Sequence, residues 1–103
     1  MREEKKKYLK QYLLQESKIS RLKTMSQVNP EFKENYDILI EKSLALRSKI
    51  EEQISSVDDD ILSEVLFQKY VFGKTLEDIS CILNYSIRQI ERLHIKALDK
   101  FKM

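Results

Sequence analysis

The stretch SIRQIERLHIKALDK, residues 86–100, sets Arg88, Arg92, Lys96 and Lys100 at four-residue intervals behind Ser86. Serine is a favoured helix N-cap, and cations four apart on a helix stack along one side. Such a strip can do two things. It can stay solvated as the outer face of a surface helix, or it can lie against an anion. Arginine forks bond bidentately to guanine edges, and either cation neutralises phosphate. The phase of the helix bears on the choice. With Ile90 facing inward, 3.6 residues per turn put Arg88 at about 160° and Arg92 at about 200°, away from the core. Lys96 and Lys100 drift round to about 240° and about 280°. Ile95, at about 140° by the same reckoning, stands among the cations, where it would meet another helix, another protomer or a thymine methyl.

Other reactive side chains are few. His94 is the only histidine and Cys81 the only cysteine. A structural metal site needs four ligands, so this pair cannot build one. A hydrolase needs a nucleophile, a base and an orienting group converging on a pocket, and one His, one Cys and no Gly-rich loop supply none of that. No catalytic residue, metal or cofactor is expected. His94 reads as a packing or hydrogen-bonding residue beside the buried face, and Cys81 as a small core or boundary residue.

Composition bounds the architecture. In 103 residues there is one Gly and one Pro, 42% hydrophobic and 35% charged side chains. Helix formers dominate, which predicts an all-α chain with few, long helices. Apolar runs last only a few residues, too short for a membrane span. The start carries no charged-then-apolar leader, and a lone cysteine fits a reducing, cytoplasmic setting. The net charge of +2 conceals an asymmetry. Residues 1–57 carry twelve basic against nine acidic side chains, residues 58–83 two against six, and residues 84–103 five against two. The final helix is a local basic patch.

These elements must position the strip. Residues 3–27 lack Gly and Pro, with apolar residues at Tyr8/Leu9, Tyr12/Leu13, Ile19, Leu22 and Met25. Asn29-Pro30 predicts a break and a capped restart. A second run over 30–56 places Tyr36, Leu39/Ile40, Leu46, Ile50 and Ile54 on one side, with Ser43 and Gln53 interrupting the seam. Two such helices joined by a short break fold back as a hairpin, residues 1–57, serving oligomerisation or acting as a brace. Asp58-Asp59-Asp60 then marks a new helix start, and Gly73 its stop. Thr75 with Asp78 forms a capping-box variant, and Ser86 with Gln89 a second box. Between them Leu76, Ile79, Ile82 and Leu83 face inward on a helix of about eight residues. The last helix, 87–101, buries Ile90, Leu93, Ala97 and Phe101.

A short helix, a turn over residues 84–86 and a longer basic helix make the pattern of a helix-turn-helix. Ser80 supplies the small residue where two steeply crossing helices approach. Asn84 tolerates the positive φ of the turn where Gly is more usual. Residues 58–103 thus read as a three-helix module behind the hairpin.

On these residues the chain resembles a known family. KTLEDISCILNYSIRQIERLHIKALDKF, with ILSEVLFQKYVFG ahead of it, is similar to the promoter-reading C-terminal domain of bacterial sigma factors. The shared features are the Thr-Leu-Glu-Asp-Ile opening, the serine cap and the Lys-Ala-Leu ending. The resemblance covers about residues 58–103 and implies base contacts from Ile87, Arg88, Glu91 and Arg92. Ile87 departs from the usual polar residue. Nothing matches the sigma domains that melt DNA or bind the polymerase clamp, so a complete sigma factor is not expected. A long helical N-terminal half joined to such a tail is similar to small phage-encoded regulators of late transcription in Gram-positive bacteria.

The expectation is a sequence-specific duplex-DNA binder that regulates transcription, reading DNA through Ile87, Arg88, Glu91 and Arg92, with Lys96 and Lys100 near the phosphates. It would be a homo-oligomer, a dimer before anything larger, with RNA polymerase as a further partner. Two alternatives stand beside it: a small terminase-like subunit of DNA packaging, and a protein-only adaptor that binds polymerase or a sigma factor.

Overall fold

The computed structural model describes all 103 residues, and every regular element is helical. Helix α1 spans Arg2–Val28, α2 Lys33–Ser55, α3 Asp60–Leu66, α4 Leu76–Leu83 and α5 Ile87–Lys100. No helix is long and apolar enough to cross a membrane.

α1 and α2 run antiparallel. Tyr8 donates to the Gln53 side chain, Tyr12 to the Glu51 carboxylate, and Arg47 to Glu16, so positions ascending on α1 meet positions descending on α2. The buried residues of α1 are Leu9, Tyr12, Gln15, Ile19 and Leu22, spaced three or four apart as a helix seam requires. Two polar residues lie inside that seam. Ser43, expected to interrupt it, is buried in it, and so is Gln15. Conversely Leu13 and Leu39, expected in the stripe, are 41% and 46% exposed. The seam is narrower than the run of apolar residues because α2 covers only one side of α1.

The break between α1 and α2 differs from expectation. Asn29 does not cap the following helix; its amide turns back toward the Met25 carbonyl. Pro30 opens a single 3-10 turn, Pro30–Phe32, before α2 begins at Lys33.

In α3, Asp59 is the cap, accepting from the Ile61 and Leu62 amides at 2.9 and 3.2 Å. The helix then widens into a π-helical turn, Phe67–Val71, closed by the Phe72 amide on the Phe67 carbonyl. Gly73 follows at φ +70, the left-handed conformation that glycine accepts without strain.

Two cores hold the elements. The larger draws Leu9, Tyr12, Ile50, Ile54 and Val57 from the first half together with Leu62, Leu66, Tyr70, Ala97, Leu98 and Phe101. The smaller joins Val65, Ile79 and Ile90, with Leu76, Leu83, Tyr85 and Leu93 around them. Ile82, expected inward, is 50% exposed, and Cys81, expected at the core or its boundary, is exposed. At 100° per residue the inward arc of α4 is set by Leu76, Ile79 and Leu83; Ile82 falls about 100° from the centre of that arc and Cys81 on the far side.

Ile90 is fully buried in the smaller core. Ile90→Ala should cost about 2–5 kcal/mol of unfolding free energy, measured by chemical denaturation. A loss under about half a kcal/mol, less than any buried truncation of this kind, would show that α5 packs on another face.

Candidate nucleic-acid interface

The start of α5 is set by local chemistry. Asn84 adopts φ 61 and ψ 44, and its amide, like that of Tyr85, donates back to the Ser80 carbonyl. Ser80 contributes more than small size: its hydroxyl donates to the Tyr85 carbonyl at 2.5 Å, so one residue of α4 holds both the amide and the carbonyl of Tyr85. Ser86 then caps α5. Its hydroxyl accepts from the Gln89 amide at 3.1 Å, and the Gln89 side chain accepts from the Ser86 amide at 2.9 Å. The expected box at the start of α4 is present too, with Thr75 and Asp78 exchanging bonds of 3.1 and 3.2 Å. The Asp78 carboxylate is held below its usual pKa, first by the Thr75 amide and then by the Thr75 hydroxyl.

The far end of α5 is held by the opposite end of the chain. The Arg2 guanidinium grips Asp99 with two bonds of 2.8 and 3.0 Å, and Lys5 donates to the Leu98 carbonyl at 2.8 Å. The last carbonyls of a helix lack intrahelical partners, and a lysine there meets both that need and the negative end of the helix dipole. Nothing in the spacing of residues 86–100 signals this clasp. The one sequence feature that bears on it is the basic run at the opposite terminus, residues 2–10.

Between those two fixings, Ile90, His94, Ala97 and Leu98 point into the protein. Ile87, Arg88, Glu91, Arg92, Lys96 and Lys100 are all exposed, along one continuous outer surface of α5. None of these cations belongs to any of the four ion pairs of the structure, and Glu91 pairs with neither neighbouring arginine. A shallow groove of about 430 Å³ runs along this helix between Tyr85, Gln89, Arg92, Leu93, Ile95, Lys96 and Asp99, the last being the carboxylate that Arg2 holds. Ile87 and Ile95 are each 44% exposed, so apolar contact area alternates with the cations. Chemically, the strip offers two guanidinium forks near the helix start, two ammonium groups further along, and methyl groups between them.

No group of three or more His, Cys, Asp or Glu side chains stands together in a way that would hold a metal ion. A comparison of the chain with protein-family models, with curated proteins and with solved structures returns no match.

His94, on the inner face of α5, has its Nε2 2.7 Å from the Tyr70 hydroxyl. Burial pushes Tyr70 up to about 12, helped by the charge of Glu3, so the phenol keeps its proton and can donate it to a neutral imidazole. Burial lowers His94 to about 4, and the charges of Lys69 and Lys6 add to the shift. The unfolded chain therefore takes up a proton near pH 6.5 that the folded chain refuses until about pH 4. Stability is full above pH 6.5 and falls as pH drops through that window. With residual solvent screening allowed for, lowering the pH from 7 to 5 should cost about 1–2 kcal/mol. Denaturant unfolding at the two pH values checks this, and His94→Gln should remove most of the difference. An unchanged difference in that variant would rule out the imidazole as its source.

Proposed function

We propose that the chain is a sequence-specific duplex-DNA-binding transcriptional regulator, of phage or prophage origin, built as an N-terminal helical hairpin carrying a helix-turn-helix. In this reading α4 and α5 are the two helices of the motif, and α5 enters the major groove. The observation that carries it is the outer face of α5, where Arg88, Arg92, Lys96 and Lys100 are exposed with no carboxylate paired to them. Cations left free along one helix face can bond phosphates and base edges in a groove. The locked turn before Ile87 supports the same reading, because a reading helix must enter at a fixed angle. The likeness of residues 58–103 to the promoter-reading domain of sigma factors agrees with it.

The hairpin's part is oligomerisation. Val28, Phe32, Ile38 and Leu39, between 46% and 72% exposed, gather toward the turn of α1 and α2, away from the larger core. Two copies joined there would present two reading helices to one duplex, as dimeric regulators do. Sedimentation equilibrium at tens of micromolar should give a dimer. A monomer would reject this role, and a ring of eight or more subunits would favour the terminase-like packaging role.

A protein-only adaptor, binding RNA polymerase or a sigma factor, is the second reading. It is favoured by Ile82, Ile87 and Ile95, which stand 44–50% exposed on α4 and α5.

Site selection from random duplex DNA, followed by binding of variants, separates the two. Arg88→Ala or Arg92→Ala should cost about 1–3 kcal/mol on the preferred site and relax base choice at one position. Lys96→Ala should weaken all duplexes alike and lower the salt slope by about one. Folded arginine variants that keep wild-type affinity and base preference, or a wild type that binds no duplex at low salt, would leave the adaptor in place of the DNA reader.

A further inference from the structure

An acidic residue stands in the middle of the cationic strip. By the phase that puts Arg88 at about 160° and Arg92 at about 200°, Asp99 falls at about 180° on the outer face of α5. It is exposed and borders the same groove as Arg92, Ile95 and Lys96. Lys96 stands three residues earlier, the spacing at which side chains on a helix meet. Lys100 and Lys102 border Asp99 on its other side, where Asp58 faces them. A free carboxylate at this place works against an anion-binding face. It competes for the Lys96 ammonium, and it repels an approaching phosphate.

Asp99 pairs with no cation of α5. Its two oxygens accept instead from Nε and Nη2 of Arg2, at 2.8 and 3.0 Å, across a separation of 97 residues. These bonds are the main cause that holds the Asp99 carboxyl below its usual pKa, and the charges of Arg2 and Lys5 add to them. The Lys5 ammonium sits beside the pair, 2.8 Å from the Leu98 carbonyl and 3.4 Å from that of Asp99. The start of α1 thus lays two cations against the carboxylate of the strip.

The pair adds little to folding. Both side chains are 52% exposed, and an exposed ion pair is a weak stabiliser. The end of α5 is seated on α1 without it, by Phe101 against Tyr8 and by Lys5 on the last carbonyls. What the pair does change is the charge that the outer face presents. Arg2 also keeps N–H donors beyond those it uses on Asp99, so the strip ends on a cation where the residues of α5 alone would end it on an acid.

Resting on the DNA-reading role of α5, we infer that Arg2 is a positioning residue for that face. By holding Asp99 it leaves Lys96 and Arg92 free for the phosphates and base edges of a duplex, and it cancels the repulsion of the carboxylate.

Duplex binding of the wild type, Arg2→Gln, Asp99→Asn and the double variant tests this, with denaturation confirming that each is folded. On the duplex selected by the wild type, Arg2→Gln should weaken binding on the order of fivefold at about 0.15 M salt and lower the salt slope by about one, as expected when one cation is offset. Asp99→Asn should bind at least as tightly as wild type, and in the double variant it should restore most of what Arg2→Gln loses. A purely mechanical clasp predicts the opposite, with Asp99→Asn as damaging as Arg2→Gln. That result, or an Arg2→Gln protein that binds like wild type, would overturn the inference. So would a double variant no tighter than Arg2→Gln, which would make Arg2 a direct phosphate contact instead. A second readout needs no DNA: the Lys96 side-chain NMR signals should move as Asp99 titrates in Arg2→Gln, and stay still in the wild type. A wild type that binds no duplex would end the DNA-reading role, yet coupling confined to Arg2→Gln would still establish that Arg2 keeps Asp99 from Lys96. The same coupling in both proteins, or in neither, would overturn it.

Discussion

The structure depends on a shortage of core. Two amphipathic helices packed side by side bury one narrow seam, and residues 58–103 form a unit too small to enclose much apolar surface. The chain meets both shortages with one cluster. Leu9 and Tyr12 of α1 and Ile50 and Ile54 of α2 pack with Leu62 and Leu66 of α3, with Leu98 within α5 and with Phe101 just beyond its end. Phe101, 1% exposed, sits with its ring 6.1 Å from that of Tyr8, so the last residues of the chain are buried against the first helix. Each half completes the other, and the surface of α5 that remains outside is decided by this docking.

The polar contacts around that cluster follow from it. Once Leu98 and Phe101 are seated, the last carbonyls of α5 lie within reach of Lys5, and Asp99 within reach of Arg2. Tyr70 and His94 meet over the edge of the same core and satisfy one another's buried polar atoms. Acidic residues of the second half are engaged as well: Asp59 caps α3, Asp78 completes the capping box of α4, and Asp99 is held by Arg2. The four cations of α5 form no ion pair, and Glu91 beside them pairs with neither arginine. That free charge, on a helix fixed at both ends, is the observation on which the proposed reading of this face rests.

A cavity lined by Lys10, Lys69 and Lys74 shows the same logic in a different place. Lys10 belongs to α1, Lys69 to the π-helical turn and Lys74 to the loop before α4, and no sequence window contains all three. They converge because the larger core presses the π-helical turn against α1, and because Gly73 lets the chain reverse directly into α4. The same docking that buries Tyr70 sets Lys69 among like charges.

Local chemistry was legible in the residues themselves. Each capping box needs only a hydroxyl and a carboxylate or amide three positions on, and both formed. Asn84 reached φ 61 because the turn demanded a positive φ and few residue types accept it. The inward phase of α5 followed from helical periodicity, which is why Ile90 is buried and Arg88 and Arg92 are not. Tertiary packing decided the rest. Periodicity marks which residues are apolar but not how wide a partner will cover them, so Leu13, Leu39 and Ile82 stayed partly exposed while Gln15 and Ser43 were buried. Asn29 lost its capping role to a 3-10 turn, and the π-helical turn at Phe67–Val71 left no mark in the spacing. Capping and helix phase are settled by neighbours three or four residues away. The Arg2–Asp99 clasp, the Tyr70–His94 pair and the lysine cavity join residues that only the packing of whole helices brings together.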